Sequence, residues 1–130
     1  MEAQPQDKTR LLLVEDDQMS REALAFILEV EGYAVDSAGD GQEGLELLHH
    51  SPHPAVVLLD LGLPTVDGFE FLRRQKQDQE VAHVPVVVMT ALPEPSVPEA
   101  AAVVRKPLDL PKLIYLLSRE VAKNQKDGTG

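Results

Sequence analysis

The triplet Glu15-Asp16-Asp17 and the single residues Asp60, Thr90 and Lys106 each stand at or just past the end of a short apolar run: LLLV, AVVLL, VPVVVM and AVVR. Carboxylates gathered at one place repel one another, and burial raises their pKa unless a cation offsets the charge. A hard divalent ion resolves this. Mg²⁺ accepts few carboxylates, keeps several waters and pairs with phosphate oxygens. Asp16 and Asp60 are the candidate direct ligands, with Glu15 reaching through water. A carboxylate beside such an ion can also attack phosphorus and become an aspartyl phosphate. The transferred group needs positive charge and donors around its three oxygens. Lys106 offers a mobile ammonium for this purpose and Thr90 a hydroxyl.

Taken singly, each residue has a plainer explanation. Asp17 directly precedes a helical pattern and is expected to be its N-cap. A strand-end threonine and a solvated lysine are ordinary features, and Asp60 alone would suit a cap as well as a nucleophile. Their succession at strand end after strand end favours a shared site.

The elements that must position them follow from hydrophobic periodicity. RLLLVED, YAVDSAG, AVVLLD, VPVVVMT and AVVRKP read as five strands, the third of them apolar enough to be buried on both faces. QMSREALAFILEVEG, DGQEGLELLHH, DGFEFLRRQKQ and DLPKLIYLLSREVAK have helical spacing. Asp40, Asp67 and Asp109 are the expected N-caps, Gly32 closes the first helix, and Leu45 and Leu48 should face inward on the second. Pro111 is tolerable in a first turn. Alternating strands and helices imply an α/β fold with a doubly wound parallel sheet and right-handed crossovers. In such sheets the ligand crevice lies at the carboxyl ends of the strands. All four groups should therefore converge at one edge.

At 130 residues the chain is one domain by length. It has no cysteine, which removes disulfide and thiol chemistry and fits a reducing compartment. No apolar run approaches a membrane span, and MEAQPQDKTR lacks the apolar core of a signal peptide. With a net charge of −10 and no basic stripe, direct nucleic-acid binding is not expected.

The segments LLLVEDD, VVLLDLGLPTVDGFEFL, VPVVVMTA and VVRKPL together resemble the receiver domain of two-component response regulators, over Arg10 to Lys123. The ordered set of an acidic pair, an Asp followed by a Leu-Pro and Asp-Gly loop, Thr-Ala and Lys-Pro is highly specific. The resemblance implies a flavodoxin-like five-stranded sheet of order 2-1-3-4-5 over residues 10–123, with flexible tails at 1–9 and 124–130. It implies that Asp60 is the phosphoacceptor and that Glu15 and Asp16 are the acidic pair. The Gly62 backbone carbonyl would complete the protein ligands of Mg²⁺, for which Mn²⁺ can substitute. Thr90 would be the switch hydroxyl, and Lys106 would pair with the phosphoryl group across a cis bond to Pro107. The donor would be a sensor histidine kinase or a histidine phosphotransfer protein, in a cytoplasmic phosphorelay that ends on a downstream protein. Such a domain catalyses its own phosphorylation and slow dephosphorylation, and is not otherwise an enzyme.

Two features depart from that family. Receivers usually carry an aromatic residue three positions before the lysine, which turns inward with the threonine; here it is Val103. The family also places a helix between its fourth and fifth strands, where this chain has LPEPSVPEAA with prolines at 93, 95 and 98. A regular helix cannot cross positions 93 to 97, although Pro98 could open a single turn. Extended chain over the twelve residues Ala91 to Ala102 reaches about 40 Å, against about 18 Å for a helix, so the crossover remains feasible. The expectation is that helix 4 of the family is lost or reduced to about one turn, with the sheet beneath it partly uncovered or capped by a partner. Neither Gly62 nor Leu92, each two positions past a site residue, can hydrogen-bond an attacking water through a side chain, so self-dephosphorylation should be modest.

His49 and His53 have i, i+4 spacing, but Pro52 interrupts them, and with His50 they read as solvated surface histidines; His83 carries no signal. Val103 and the altered crossover keep a second function in view: a degenerate receiver serving as a phosphorylation-independent binding scaffold. A turnover enzyme working through an aspartyl phosphate would need a general acid two residues after Asp60, where Gly62 stands.

Overall fold

The computed structural model describes residues 8–50, 52–63, 66–93 and 96–129, with the backbone alone for 124–129. The elements in chain order are β1 (Arg10–Val14), α1 (Gln18–Val30), β2 (Ala34–Ala38), α2 (Gly41–Leu48), β3 (Val56–Asp60), α3 (Gly68–Gln77), β4 (Val86–Thr90), β5 (Ala102–Arg105) and α4 (Leu110–Thr129). The strands form one sheet of order β2-β1-β3-β4-β5, every neighbour pair parallel. This is the expected doubly wound architecture.

Side chains alternate across the sheet, so each central strand feeds two cores. Leu12, Val14, Val57, Leu59, Val86 and Val88 pack with Leu48 of α2 and with Phe71 and Leu72 of α3. Leu11, Leu13, Leu58, Val87 and Met89 pack with Leu24 and Leu28 of α1 and with Leu113 and Leu117 of α4. Full burial of each such side chain contributes about 1.5–3 kcal/mol, which is why β1, β3 and β4 are almost wholly apolar. Leu45 is half-buried and packs on the edge of the first core.

All four anticipated caps are made. Asp17 accepts from the Ser20 N–H at 2.9 Å, Asp40 from Glu43 at 2.8 Å, Asp67 from Glu70 at 2.9 Å and Asp109 from Lys112 at 3.2 Å. Gly32 follows α1 with φ 105°, a backbone region that other residues rarely enter. Gly68 opens α3 against the end of β3, where a Cβ would come within 2.5 Å of the Leu61 Cα. No residue with a side chain can sit there, and this contact fixes α3 directly beside Asp60.

Between β4 and β5 there is no helix among the described residues; Glu94 and Pro95 lie outside them. One turn is closed by the Ala100 N–H donating to the Val97 carbonyl at 3.0 Å, and Ala101 then donates to Val86 at 2.8 Å. The sheet beneath is not left open, which corrects the expectation of an uncovered face. Val86 and Val88 are 0% exposed, because Val97 turns in to join the first core and Ala100 and Val103 pack against it. A proline-rich segment cannot present a helical stripe, but one inward valine fills the gap.

The last helix runs past Lys123 to Thr129, through residues expected to form a tail. Extending an existing helix by one residue costs far less than starting one, so a polar segment can continue it without an apolar stripe. The expected N-terminal tail lies outside the described residues as far as residue 7.

Candidate functional site

The parallel ladder carries the strand ends to one edge of the sheet. Asp60 stands opposite Met89, and Thr90 opposite Arg105. The Lys106 N–H donates to the Thr90 carbonyl at 2.8 Å, so the chain enters the Lys106–Pro107 bond from a fixed position, and that bond is cis.

Glu15, Asp16 and Asp60 each present a carboxylate oxygen within 4.8 Å of the others. Glu15 is 4% exposed and Asp60 7%, whereas Asp16 is exposed. Lys106 Nζ donates to Asp60 Oδ2 at 3.0 Å and approaches Glu15 Oε1 at 3.5 Å. The Gly62 N–H donates to Asp60 Oδ1 at 3.0 Å, and the Asp17 N–H to Glu15 Oε2 at 3.2 Å. Thr90 is 3% exposed, and its hydroxyl oxygen accepts from the Leu92 N–H at 3.1 Å. Asp60, Gly62, Thr90 and Lys106 line a cleft of about 480 Å³, together with the half-exposed Phe69 and Leu92. The structure thus groups Glu15, Asp16, Asp60 and Lys106, sets Gly62 and Thr90 in the cleft beside Asp60 and Lys106, and leaves Asp17 as the cap of α1. Three carboxylates and a lysine converge, with Thr90 on the wall of the same cleft.

The two buried carboxylates titrate apart. Burial, reinforced by a hydrogen bond shared with Asp60, pushes Glu15 up to about 7. Burial acts on Asp60 in the same sense, but the Gly62 N–H, the shared bond with Glu15 and the Lys106 ammonium outweigh it and hold Asp60 below the usual range. Lys106 rises, because Asp60 and Glu15 more than offset its own burial. Two buried carboxylates and an exposed third, with one ammonium among them, leave surplus negative charge that a divalent cation can offset, with waters free to complete its shell as Mg²⁺ prefers. The residues present therefore fit the metal.

A model of the response regulator receiver domain matches residues 11–117. The chain belongs to the response-regulator receiver family. Among receivers, the polar-differentiation response regulator DivK of Brucella ovis is 30% identical over 110 residues, 80% of this chain and 89% of its own length. The DNA-binding dual master transcriptional regulator RpaA of Synechocystis is 39% identical over 83 residues, which are 64% of this chain and 34% of that protein. A crystal structure of a response regulator from Chloroflexus aurantiacus superimposes with a TM-score of 0.81 at 27% identity, covering 89% of this chain and 99% of that one. A receiver from Methanospirillum hungatei, at 24% identity and the same TM-score, shares the fold. No helix among the described residues of this receiver is long and apolar enough to cross a membrane.

Other residues gained partners that spacing did not show. Arg21 of α1 reaches back to the acidic loop and donates to the carbonyls of Glu15 at 2.8 Å and Asp16 at 3.3 Å. At the opposite edge of the sheet, His49 Nε2 lies 2.5 Å from Asp78 and His53 Nε2 3.0 Å from Glu80. The His83 ring lies near that of His53, tilted by 56° with centroids 6.4 Å apart. Of the three histidines expected to be solvated, His49 and His53 are thus tied to acids while staying partly exposed, and His50 is exposed as expected.

Proposed function

We propose that this receiver is a phosphorylation switch whose phosphoacceptor is Asp60, charged by a histidine kinase or phosphotransfer protein in a Mg²⁺-dependent reaction in the cytoplasm. The observation that carries this reading is the position of Asp60. Its carboxylate is buried at the floor of an open cleft, kept ionised by Lys106 and the Gly62 N–H, and set beside two further acids. An ionised, pre-oriented carboxylate is what nucleophilic attack on phosphorus needs.

Glu15, Asp16, Asp60 and the Gly62 carbonyl would hold the ion. Bound there, it would neutralise the carboxylates and the charge on the incoming phosphoryl oxygens. One oxygen of Asp60 forms the new bond to phosphorus while the bond from phosphorus to the donor imidazole breaks, and the imidazole leaves with its electron pair and takes up a proton. Lys106, freed from its bond to Asp60, pairs with a phosphoryl oxygen. Thr90 donates its hydroxyl proton to another. Phe69 and Leu92 wall the cleft and offer an entering water no acceptor, and Gly62 has no side chain, so the acyl phosphate should decay slowly. A very rapid loss of the acyl phosphate in Mg²⁺ would contradict that assignment.

Beryllofluoride, a phosphoryl mimic, tests the reading. With Mg²⁺ it should shift the amide resonances of Gly62, Thr90, Leu92 and Lys106 in the wild type and leave Asp60→Ala unchanged. No Mg²⁺-dependent change in the wild type would instead favour a phosphorylation-independent scaffold.

A further inference from the structure

We propose that Arg21 is a positioning residue for the cation site, acting through the backbone of the acidic loop; this rests on the Mg²⁺ reading above. Glu15 and Asp16 leave β1 on a short stretch that ends where Asp17 caps α1. Their side chains can converge on an ion only if their peptide planes are held. The Glu15 N–H is anchored to the Ala38 carbonyl at 3.0 Å, which ties this stretch to the end of β2. The half-buried guanidinium of Arg21 holds the other side, with Nη1 shared between the Glu15 and Asp16 carbonyls. One charged donor thereby fixes both residues that supply the acidic pair.

A second feature of the chain accommodates this grip. Gly39, just after β2, lies against the guanidinium, and a Cβ built there would stand 3.3 Å from Arg21 Nη1 and 3.7 Å from Cζ. That is tight contact with the end of a long side chain and with nothing else. Gly39 does not have a positive φ, so alanine is tolerable for the backbone. The Gly39 N–H is itself held by the Glu43 carboxylate at 2.8 Å, so the backbone cannot easily retreat from the guanidinium. The bare Cα leaves Arg21 the room to reach both carbonyls.

Two effects of Arg21 on a cation oppose each other. Its charge repels the ion, whereas its hydrogen bonds preorganise the ligands. Lysine separates them, because it keeps the charge but its stem ends one bond short of the Nη1 position that reaches both carbonyls. Loss of one or two charge-assisted bonds should weaken Mg²⁺ binding about three- to tenfold.

The experiment is Mg²⁺ titration by calorimetry and by amide shifts, on wild type, Arg21→Lys, Arg21→Gln, Gly39→Ala and the double variant Arg21→Lys/Gly39→Ala, each first checked for a folded circular-dichroism spectrum. Positioning predicts weaker Mg²⁺ binding in both Arg21 variants. It predicts a smaller loss, up to about twofold, in Gly39→Ala, and no further loss when Gly39→Ala is added to Arg21→Lys, since coupled sites are not additive. Tighter binding in Arg21→Gln with unchanged binding in Arg21→Lys would show that charge governs, and would overturn the proposal. So would lowered melting temperatures with unchanged Mg²⁺ affinity, the signature of a purely structural contact. If the wild type binds no Mg²⁺, it is the cation reading itself that fails.

Discussion

At both edges of the sheet the chain sets basic side chains against carboxylates borne on different elements. At the carboxyl edge Lys106 meets Asp60 and Glu15, and both acids are almost fully buried. At the amino edge His49 meets Asp78 and His53 meets Glu80, with each side chain between 26% and 55% exposed. The distances are similar and the consequences differ. Where water reaches the pair it screens the interaction and competes for the same hydrogen bonds, so such contacts contribute little to stability. Where water is excluded, each charge depends on its partners, and a surplus carboxylate must take a proton or a cation. The carboxyl edge is therefore poised to accept something, and the amino edge is already satisfied.

Removing Lys106 should produce the largest contrast. Lys106→Met leaves Asp60 and Glu15 facing each other, at a cost of about 1–3 kcal/mol in denaturant unfolding, below the value for a fully buried pair because Lys106 is one-third exposed. Phosphorylation of Asp60 by acetyl phosphate should slow roughly a hundredfold, the usual effect of removing one charge-stabilising donor. An unaltered rate would mean that Lys106 does not face the phosphoryl group.

The pH dependence of the metal-free protein should come next. Glu15 rises from 4.5 to about 7 on folding, so the folded state binds more protons than the unfolded state across that interval. The stabilisation is complete below about pH 4.5 and is lost as pH climbs towards 7. Melting temperature should fall over this range without Mg²⁺, and saturating Mg²⁺ or Glu15→Gln should flatten the slope. A slope indifferent to both would contradict the raised Glu15 carboxyl.

The smallest effect belongs to the amino edge. His49 is held above its usual value by the Leu45 carbonyl and by Asp78. A raised histidine stabilises below the unfolded value of 6.5, and its contribution disappears as pH passes its folded value. Asp78→Asn should remove that dependence and shift the melt only slightly, with no change in Mg²⁺ affinity. A Mg²⁺ response to Asp78→Asn would erase the distinction between the two edges.

How much of this could be read from the chain follows from the same physics. Parallel strands buried on both faces must be contiguous apolar runs, so β1, β3 and β4 declared themselves, and with them the positions of Glu15 and Asp16, Asp60 and Thr90 at their ends. The four capping aspartates were legible because each precedes its helix directly. Arg21 was not, since its bonds to the Glu15 and Asp16 carbonyls depend on the path of the loop before α1. Val97 gave no sign either: a stretch punctuated by prolines has no period from which an inward residue can be picked. The continuation of α4 to Thr129 lacks an apolar stripe, and the approach of His83 to His53 depends on how the starts of β3 and β4 are aligned.

The central claim is that the carboxyl edge accepts a phosphoryl group on one residue, with a divalent cation. Intact-mass spectrometry after incubation with acetyl phosphate, followed by peptide localisation of the modification, addresses it directly. The account predicts a single phosphoryl adduct on Asp60 in Mg²⁺, none in a chelator and none in Asp60→Ala. An adduct that persists in Asp60→Ala or forms equally well in the chelator, or no adduct in the wild type, would contradict it.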